Sequence, residues 1–255
     1  MKREMAFAKI NLALHVRERL PDGYHRIETI FAFCEDGDVL TAEPSDRLDL
    51  EITGPFADDL GDEADNLVLR AARAIGATAT LRLDKKLPVA AGIGGGSADA
   101  AACLRLFGRG GDEELAASLG ADVPACLASR TVRGGGRGDE LQPIALPDLA
   151  GMPVLLVNPG IGLSTAAVFA NWNGADLGPL EDFRTGRNDL EAPARDLVPE
   201  IGKVLEALQG AKMQRMSGSG ATCFGLFESE AARRQAAAEI AARQPGWWIL
   251  ETRLR

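Results

Sequence analysis

Imidazoles and phenols are scarce in this chain of 255 residues: it has two histidines, His15 and His25, and one tyrosine, Tyr24. So few imidazoles argue against a zinc site. The four cysteines, Cys34, Cys103, Cys126 and Cys223, form no CxxC pair and lie in apolar stretches. They are read as reduced core thiols, and a disulfide framework or a metal site is set aside. Excess positive charge is also lacking. Lys and Arg number 28 against 37 Asp and Glu, a net charge of −9, which excludes a broad basic groove for nucleic acid but leaves room for a local phosphate pocket. No apolar run approaches the roughly 18 residues of a membrane helix. The opening "MKREMAFAKINLALHV" is broken by Lys9, Asn11 and His15, so it is not read as a signal or transit peptide. A cytoplasmic protein with no nucleic-acid or membrane partner is expected, and the oligomeric state is left open. There is no repeat and no low-complexity tract.

Glycine is plentiful, and four of the 29 fall within five residues of "LPVAAGIGGGSADAAACLRLF", Leu87 to Phe107. Glycine in a loop costs conformational entropy on folding, so a bare backbone there needs a reason. No lysine follows these glycines, which excludes a P-loop, and Ser97 stands where a dinucleotide fingerprint needs its third glycine. A tight turn between strand and helix is one reading. Three glycines in a row, then a serine and a helix, exceed a turn's needs, and an anion held by backbone N–H groups is the other. Ser97 either caps the helix or offers its hydroxyl to phosphate or Mg²⁺.

Period-two alternation makes "KINLALHV" a half-buried strand, with Lys9, Asn11, Ala13 and His15 opposite the core face. On this segment alone the favoured reading of Lys9 is a solvated strand lysine. "DRLDLEITG" and "TATLRLD" are further strands, and "DNLVLRAARAIGA" a helix capped by Asp65. A short helix stops at Gly120, and another opens after Asp122 with Pro124 in its first turn. "MPVLLVNPG" is a buried strand, and the segment before it marks a boundary between residues 1–147 and 148–255. The second half continues with a helix from Ser164, helices between Asp189 and Leu208, strands "KMQRM" and "TCFGLF", a helix from Ser229 to Arg243 and strand "WWILETRL". The alternation predicts an α+β fold.

Three more segments carry alternatives. In "GADVP", Asp122 is an N-cap or a general base. "SGSGAT", Ser217 to Thr222, is a hairpin turn or a second nest of backbone amides. In "DGYH", Tyr24 and His25 are turn packing or an exposed pair that stacks on a base.

Taken in order, the strand lysine, "DGYH", the glycine loop, "GADVP" and "MSGSGATCFGLF" resemble the GHMP kinase superfamily. The resemblance spans residues 8 to 227 and is nearest to the branch acting on 4-diphosphocytidyl-2-C-methyl-D-erythritol. It implies a two-domain α+β fold, with a glycine-rich phosphate loop in the N-terminal domain and a C-terminal α/β sandwich. ATP and Mg²⁺ are the implied cofactors, with no protein ligand to the metal assigned. Lys9 and Asp122 match the catalytic pair. Pro88, Val89, Ala90, Ala91, Gly92, Ile93, Gly94, Gly95, Gly96, Ser97 and Ala98 match the ATP phosphate loop; many members carry a second serine where Ala98 stands. Asn11, Tyr24 and His25 match substrate contacts, and Gly218, Ser219 and Gly220 belong to the third motif. Phe183 is the candidate for a second cytosine-stacking ring. The implied reaction transfers the ATP γ-phosphoryl group to the C2 hydroxyl, with Asp122 taking or orienting the proton and Lys9 offsetting charge. The runner-up is a kinase of another small alcohol, such as homoserine or mevalonate. A nucleotide-binding module without catalysis is the alternative of another class.

Overall fold

A computed structural model describes residues 1–60 and 66–255. Two long strands, β1 (Lys2–Arg19) and β2 (His25–Pro44), run through both of the chain's compact units. One unit comprises Met1–Lys9, Asp36–Val89 and Gly94–Arg130; the other comprises Ile10–Glu35, Ala90–Ile93 and Thr131–Arg255.

In the first unit β3 (Asp49–Thr53) pairs parallel with β4 (Ala79–Asp84), and β4 pairs antiparallel with the second half of β2, from Val39↔Asp84 to Pro44↔Ala79. Four helices complete it: α1 (Leu67–Ala74), α2 (Gly95–Leu106), α3 (Glu113–Leu119) and α4 (Val123–Ala128). Helix α2 is buried from Ala98 to Leu104 and packs against α1 and α4. Its run of alanines leaves little side chain to keep neighbouring helices apart. Asn66 caps α1, its side chain accepting from Val68 N; Asp65, the expected cap, lies outside the described residues. Gly120 ends α3 as expected.

In the second unit Thr29–Phe31 of β2 pairs antiparallel with β5 (Val132–Gly135), and β5 with β6 (Glu140–Pro143). A separate antiparallel sheet has the order β10 (Trp248–Arg253), β7 (Pro153–Asn158), β9 (Cys223–Leu226), β8 (Met213–Met216). Helices α5 (Thr165–Ala170), α6 (Glu191–Leu197), α7 (Glu200–Ala207) and α8 (Glu230–Arg243) accompany it. Leu155, Val157, Ile201, Val204, Leu208 and Ile240 share its core. Ser164 and Ser229 cap α5 and α8 through their hydroxyls. The α+β class expected from the alternation holds.

The expected half-burial of β1 does not. Ala8 to Val16 are buried on both faces, because each polar residue finds a partner within its own unit. Lys9 meets Asp122, Asn11 donates to Thr29 Oγ1 at 2.8 Å, and His15 lies between Gly178 O and Arg187 N. Arg187 N donates to His15 Nε2, so Nδ1 carries the proton toward Gly178 O. Burial and then Arg187 hold this imidazole below its ordinary pKa, consistent with the neutral ring. All four cysteines are buried and none is in a disulfide.

Candidate active site

The first unit gathers the glycine-rich helix start and the two candidate catalytic residues. Gly94 is the N-cap of α2, in the left-handed region at φ 65° with no side-chain cap. Ser97 is therefore inside the helix and not its cap. A helix N-terminus leaves its first N–H groups without intrahelical acceptors. In α2 they belong to Gly95, Gly96 and Ser97; Ala98 N already donates to Gly94 O. Gly96 is exposed. The glycines keep the amides bare, and the macrodipole adds partial positive charge.

Lys9 lies against the same cap. A Cβ on Gly94 would be 3.0 Å from Lys9 Cε and 3.4 Å from Lys9 Cβ. The ammonium reaches Asp122 Oδ2 at 3.0 Å, with side-chain exposures of 4% for Lys9 and 37% for Asp122. Asp122 stands at the N-cap position of α4 but makes no side-chain cap bond. Its carboxylate is oriented by the lysine and open to solvent, as a proton acceptor requires. The cap reading is thereby replaced by the ion pair.

Beneath the first turn of α2 lies a cluster the sequence reading passed over. Lys85 Nζ contacts Asp38 Oδ2 and lies 2.9 Å from Asp99 Oδ2. Asp38 Oδ1 accepts from Lys86 N at 2.5 Å and Leu87 N at 2.8 Å. Asp99 Oδ1 is buried without a partner. Burial outweighs the pull of Lys85 and pushes Asp99 up to about 7. For Lys85 burial acts downward, but the two carboxylates override it and raise its pKa. Strand parity was an available signal: Ala79, Leu81 and Leu83 are buried in β4, and Lys85 continues their alternation.

In the second unit the loop residues Ala90–Ile93 meet the "SGSGAT" turn. Gly92 has φ +73°, and a Cβ there would come within 2.4 Å of Ser217 O. Ser217 Oγ donates to Gly92 O at 2.9 Å and accepts from Asn11 N at 3.1 Å. Thr222 N donates to Ala91 O at 3.2 Å. The turn joins β8 to β9, so the hairpin reading holds, and it also braces the loop. Gly218, Ser219 and Gly220 are buried; Gly218 O accepts from Asn188 Nδ2 at 2.8 Å and Ser219 Oγ pairs with Thr165 Oγ1 at 2.8 Å. Neither Asn188 nor Thr29, which anchors Asn11, had a motif to announce it.

Tyr24 and His25 part company. Tyr24 is 56% exposed, and the Arg137 guanidinium lies over its ring, 4.4 Å from the centroid. His25 instead stacks on Phe169 at 4.7 Å, with Trp172 edge-on at 5.5 Å, and burial, then Arg19, lowers its pKa. The sequence reading of an exposed Tyr–His pair is qualified on this point: Tyr24 is exposed, while His25 is half-buried with one face on Phe169. Phe183 is buried, with Arg184 over its ring at 4.7 Å.

A helix N-terminus of bare amides beside a lysine–aspartate pair suits phosphoryl transfer without a P-loop, and comparison with known families gives that class. Residues 66–135 match the GHMP kinases N terminal domain and residues 173–246 the GHMP kinases C terminal. The chain belongs to the GHMP kinases and is a small-molecule kinase, which implies ATP as phosphoryl donor. The 4-diphosphocytidyl-2-C-methyl-D-erythritol kinase of Rhizorhabdus wittichii is 57% identical, the match covering 99% of this chain and 94% of the relative. A crystal structure of 4-(cytidine 5'-diphospho)-2C-methyl-D-erythritol kinase matches with TM-score 0.81 and 34% identity, over 98% of this chain and 99% of that one. The homoserine kinase of Cytophaga hutchinsonii matches with TM-score 0.66 at 18% identity, over 96% of this chain and 95% of that one, and shares the fold.

Proposed function

We propose that the chain transfers the γ-phosphoryl group of ATP to the C2 hydroxyl of 4-diphosphocytidyl-2-C-methyl-D-erythritol. The observation that carries the reading is the contact of Lys9 with Gly94, which brings the Lys9–Asp122 pair to the N-terminus of α2. The identity of the acceptor is supported by the names of the relative at 57% and the structure at 34% identity. Tyr24, exposed with Arg137 over its ring, is suited to stacking on a base.

In this reading the amides of Gly95, Gly96 and Ser97 hold ATP phosphate oxygens, with the loop from Pro88 to Ala98 shaped around them. Asp122 accepts the proton of the C2 hydroxyl. That oxygen forms a bond to the γ-phosphorus as the bond to the β–γ bridging oxygen breaks, and ADP leaves. Lys9 keeps the carboxylate aimed and offsets charge on the transferred group. Positioning and charge neutralisation are what such a transfer needs from a protein. Mg²⁺ would enter with ATP and offset the negative charge of its phosphates, with the Ser97 hydroxyl at the helix start as the side chain that could meet it. Asn11, Tyr24 and His25 serve the acceptor: Tyr24 by stacking, Asn11 and His25 from positions fixed by Thr29 and Phe169. The "SGSG" residues act by bracing Ala91 and Gly92. Residues 1–147 and 148–255 are taken as the two functional halves of a cytoplasmic enzyme.

Incubation of the protein with ATP, Mg²⁺ and the cytidyl substrate should give a new phosphomonoester resonance in ³¹P NMR. Turnover of homoserine or mevalonate with none of the cytidyl compound would refute the acceptor and retain the kinase.

A further inference from the structure

Three ionisable side chains with almost no exposure sit under the phosphate-binding turn: Lys85 at 1%, Asp38 at 0% and Asp99 at 2%. Apolar residues in place of such a cluster are commonly neutral or stabilising, so stability is a poor reason for its presence. Its geometry offers a better one. Asp38 holds the entry stem of the loop through the amides of Lys86 and Leu87. Asp99 lies in the second turn of α2, at the exit stem. The Lys85 ammonium bonds to both carboxylates and so ties entry to exit. The tie passes directly under Gly95: a Cβ there would be 3.0 Å from Lys85 Nζ. One oxygen of Asp99 accepts from Lys85 and the other is buried without a hydrogen-bond partner, so Lys85 holds this carboxyl by one oxygen.

We infer that Lys85, Asp38 and Asp99 form a clamp that fixes both stems of the phosphate loop, making Lys85 and Asp99 positioning residues for ATP that never touch it. The clamp rests on the ATP reading of the α2 N-terminus. It sets the spacing between the Lys86–Leu87 stem and the amides of Gly95 to Ser97. Loss of the Asp99 anchor frees the start of α2 to shift, while the Lys85–Asp38 pair remains and keeps the buried ammonium partnered.

The test uses the full chain and three variants, Asp99→Ala, Asp99→Ser and Asp99→Asn. ATP affinity is measured by calorimetry without acceptor, and both KM values by ADP release, well below the melting temperature. In Asp99→Ala the ATP dissociation constant and ATP KM should rise about tenfold, less than the roughly hundredfold cost of a 1 Å misplacement. KM for the cytidyl substrate should stay within about twofold. Asp99→Asn, whose amide oxygen can still accept from Lys85, should recover most of the loss. If the alanine variant does not fold, Asp99→Ser, too short to reach Lys85 directly, carries the same expectation. A lower melting temperature with unchanged ATP binding, or equal rises in both KM values without recovery by asparagine, overturns the clamp. A wild-type chain that binds ATP but phosphorylates another alcohol removes the acceptor reading and leaves the clamp to be judged on the calorimetry. A wild-type chain that binds no ATP overturns both.

Discussion

Gly94→Ala separates two costs that a single glycine usually conceals. The first is backbone strain. Gly94 has φ +65°, and a non-glycine residue in the left-handed region costs about 1–2 kcal/mol. At about 2–4 °C per kcal/mol for a chain of this size, the melting temperature should fall by about 2–8 °C. The second cost is the contact. The new methyl would lie 3.0 Å from Lys9 Cε and 3.6 Å from Cys126 Sγ, so Lys9 must give way by a few tenths of an ångström or more. Its ammonium, 3.0 Å from Asp122, is then displaced, and kcat should fall about 10- to 100-fold. Gly76→Ala is the control: Gly76 has φ +64°, and a Cβ there meets nothing within 4 Å. It should lose a similar amount of melting temperature and keep its kcat. Calorimetry and steady-state ADP release on the two purified variants decide the matter. Equal losses of stability with unchanged kcat in both would refute the claim that Gly94 makes room for Lys9 as a residue of the proposed reaction.

Other outcomes follow from the same geometry. Asp122→Asn keeps an acceptor for Lys9 and costs α4 no cap bond, so folding should survive while kcat falls roughly 10²–10⁴-fold; activity within a few-fold of wild type would remove Asp122 from the chemistry. Tyr24→Ala should raise KM for the cytidyl substrate about 5- to 150-fold, the equivalent of about 1–3 kcal/mol of base stacking, leave ATP KM unmoved, and be recovered by Tyr24→Phe. Equal rises in both KM values would make Tyr24 a packing residue. The clamp also predicts a pH dependence. Burial raises Asp99 from 3.8 to about 7 against the opposing pull of Lys85 and with a further push from Asp38, so the folded chain holds a proton that the unfolded chain releases. The stabilisation is complete below about pH 4 and is lost as pH rises through about 7. The Cys126 thiol, which feels Asp99, is pushed up to about 12 by burial and stays neutral across that window. The melting temperature of Asp99→Asn relative to wild type should therefore climb between pH 4 and 7; a constant difference would show that Asp99 does not titrate there.

Sequence legibility followed the backbone more closely than the side chains. The glycine run, Gly120, Ser164 and Ser229 are local signals, and each ended or opened an element as its chemistry dictates. Strand parity singled out Lys9 and Asn11 as polar positions of β1. It could not say that each would be buried, because their partners, Asp122 and Thr29, are 113 and 18 residues away. The same limit hid Lys85. A lone lysine after a strand reads as solvated, and only its place in the buried alternation of β4 hinted otherwise. The stacking partners of His25 were hidden for a related reason: Phe169 and Trp172 are distant in sequence, and nothing beside "DGYH" announces a ring waiting to stack.

The four buried cysteines give the folded chain a chemical silence. Burial pushes the thiols of Cys103 and Cys126 up to about 12 and raises Cys223 further, and a neutral, inaccessible thiol is a poor nucleophile. They are distributed between both compact units, Cys103 and Cys126 in one and Cys34 and Cys223 in the other. A thiol reagent added to the native protein therefore reads out opening, and mapping the modified cysteine reports which unit opened. One cysteine introduced on the surface, as in Arg130→Cys, would take a dye alone while its four natural counterparts stay dark until the chain unfolds.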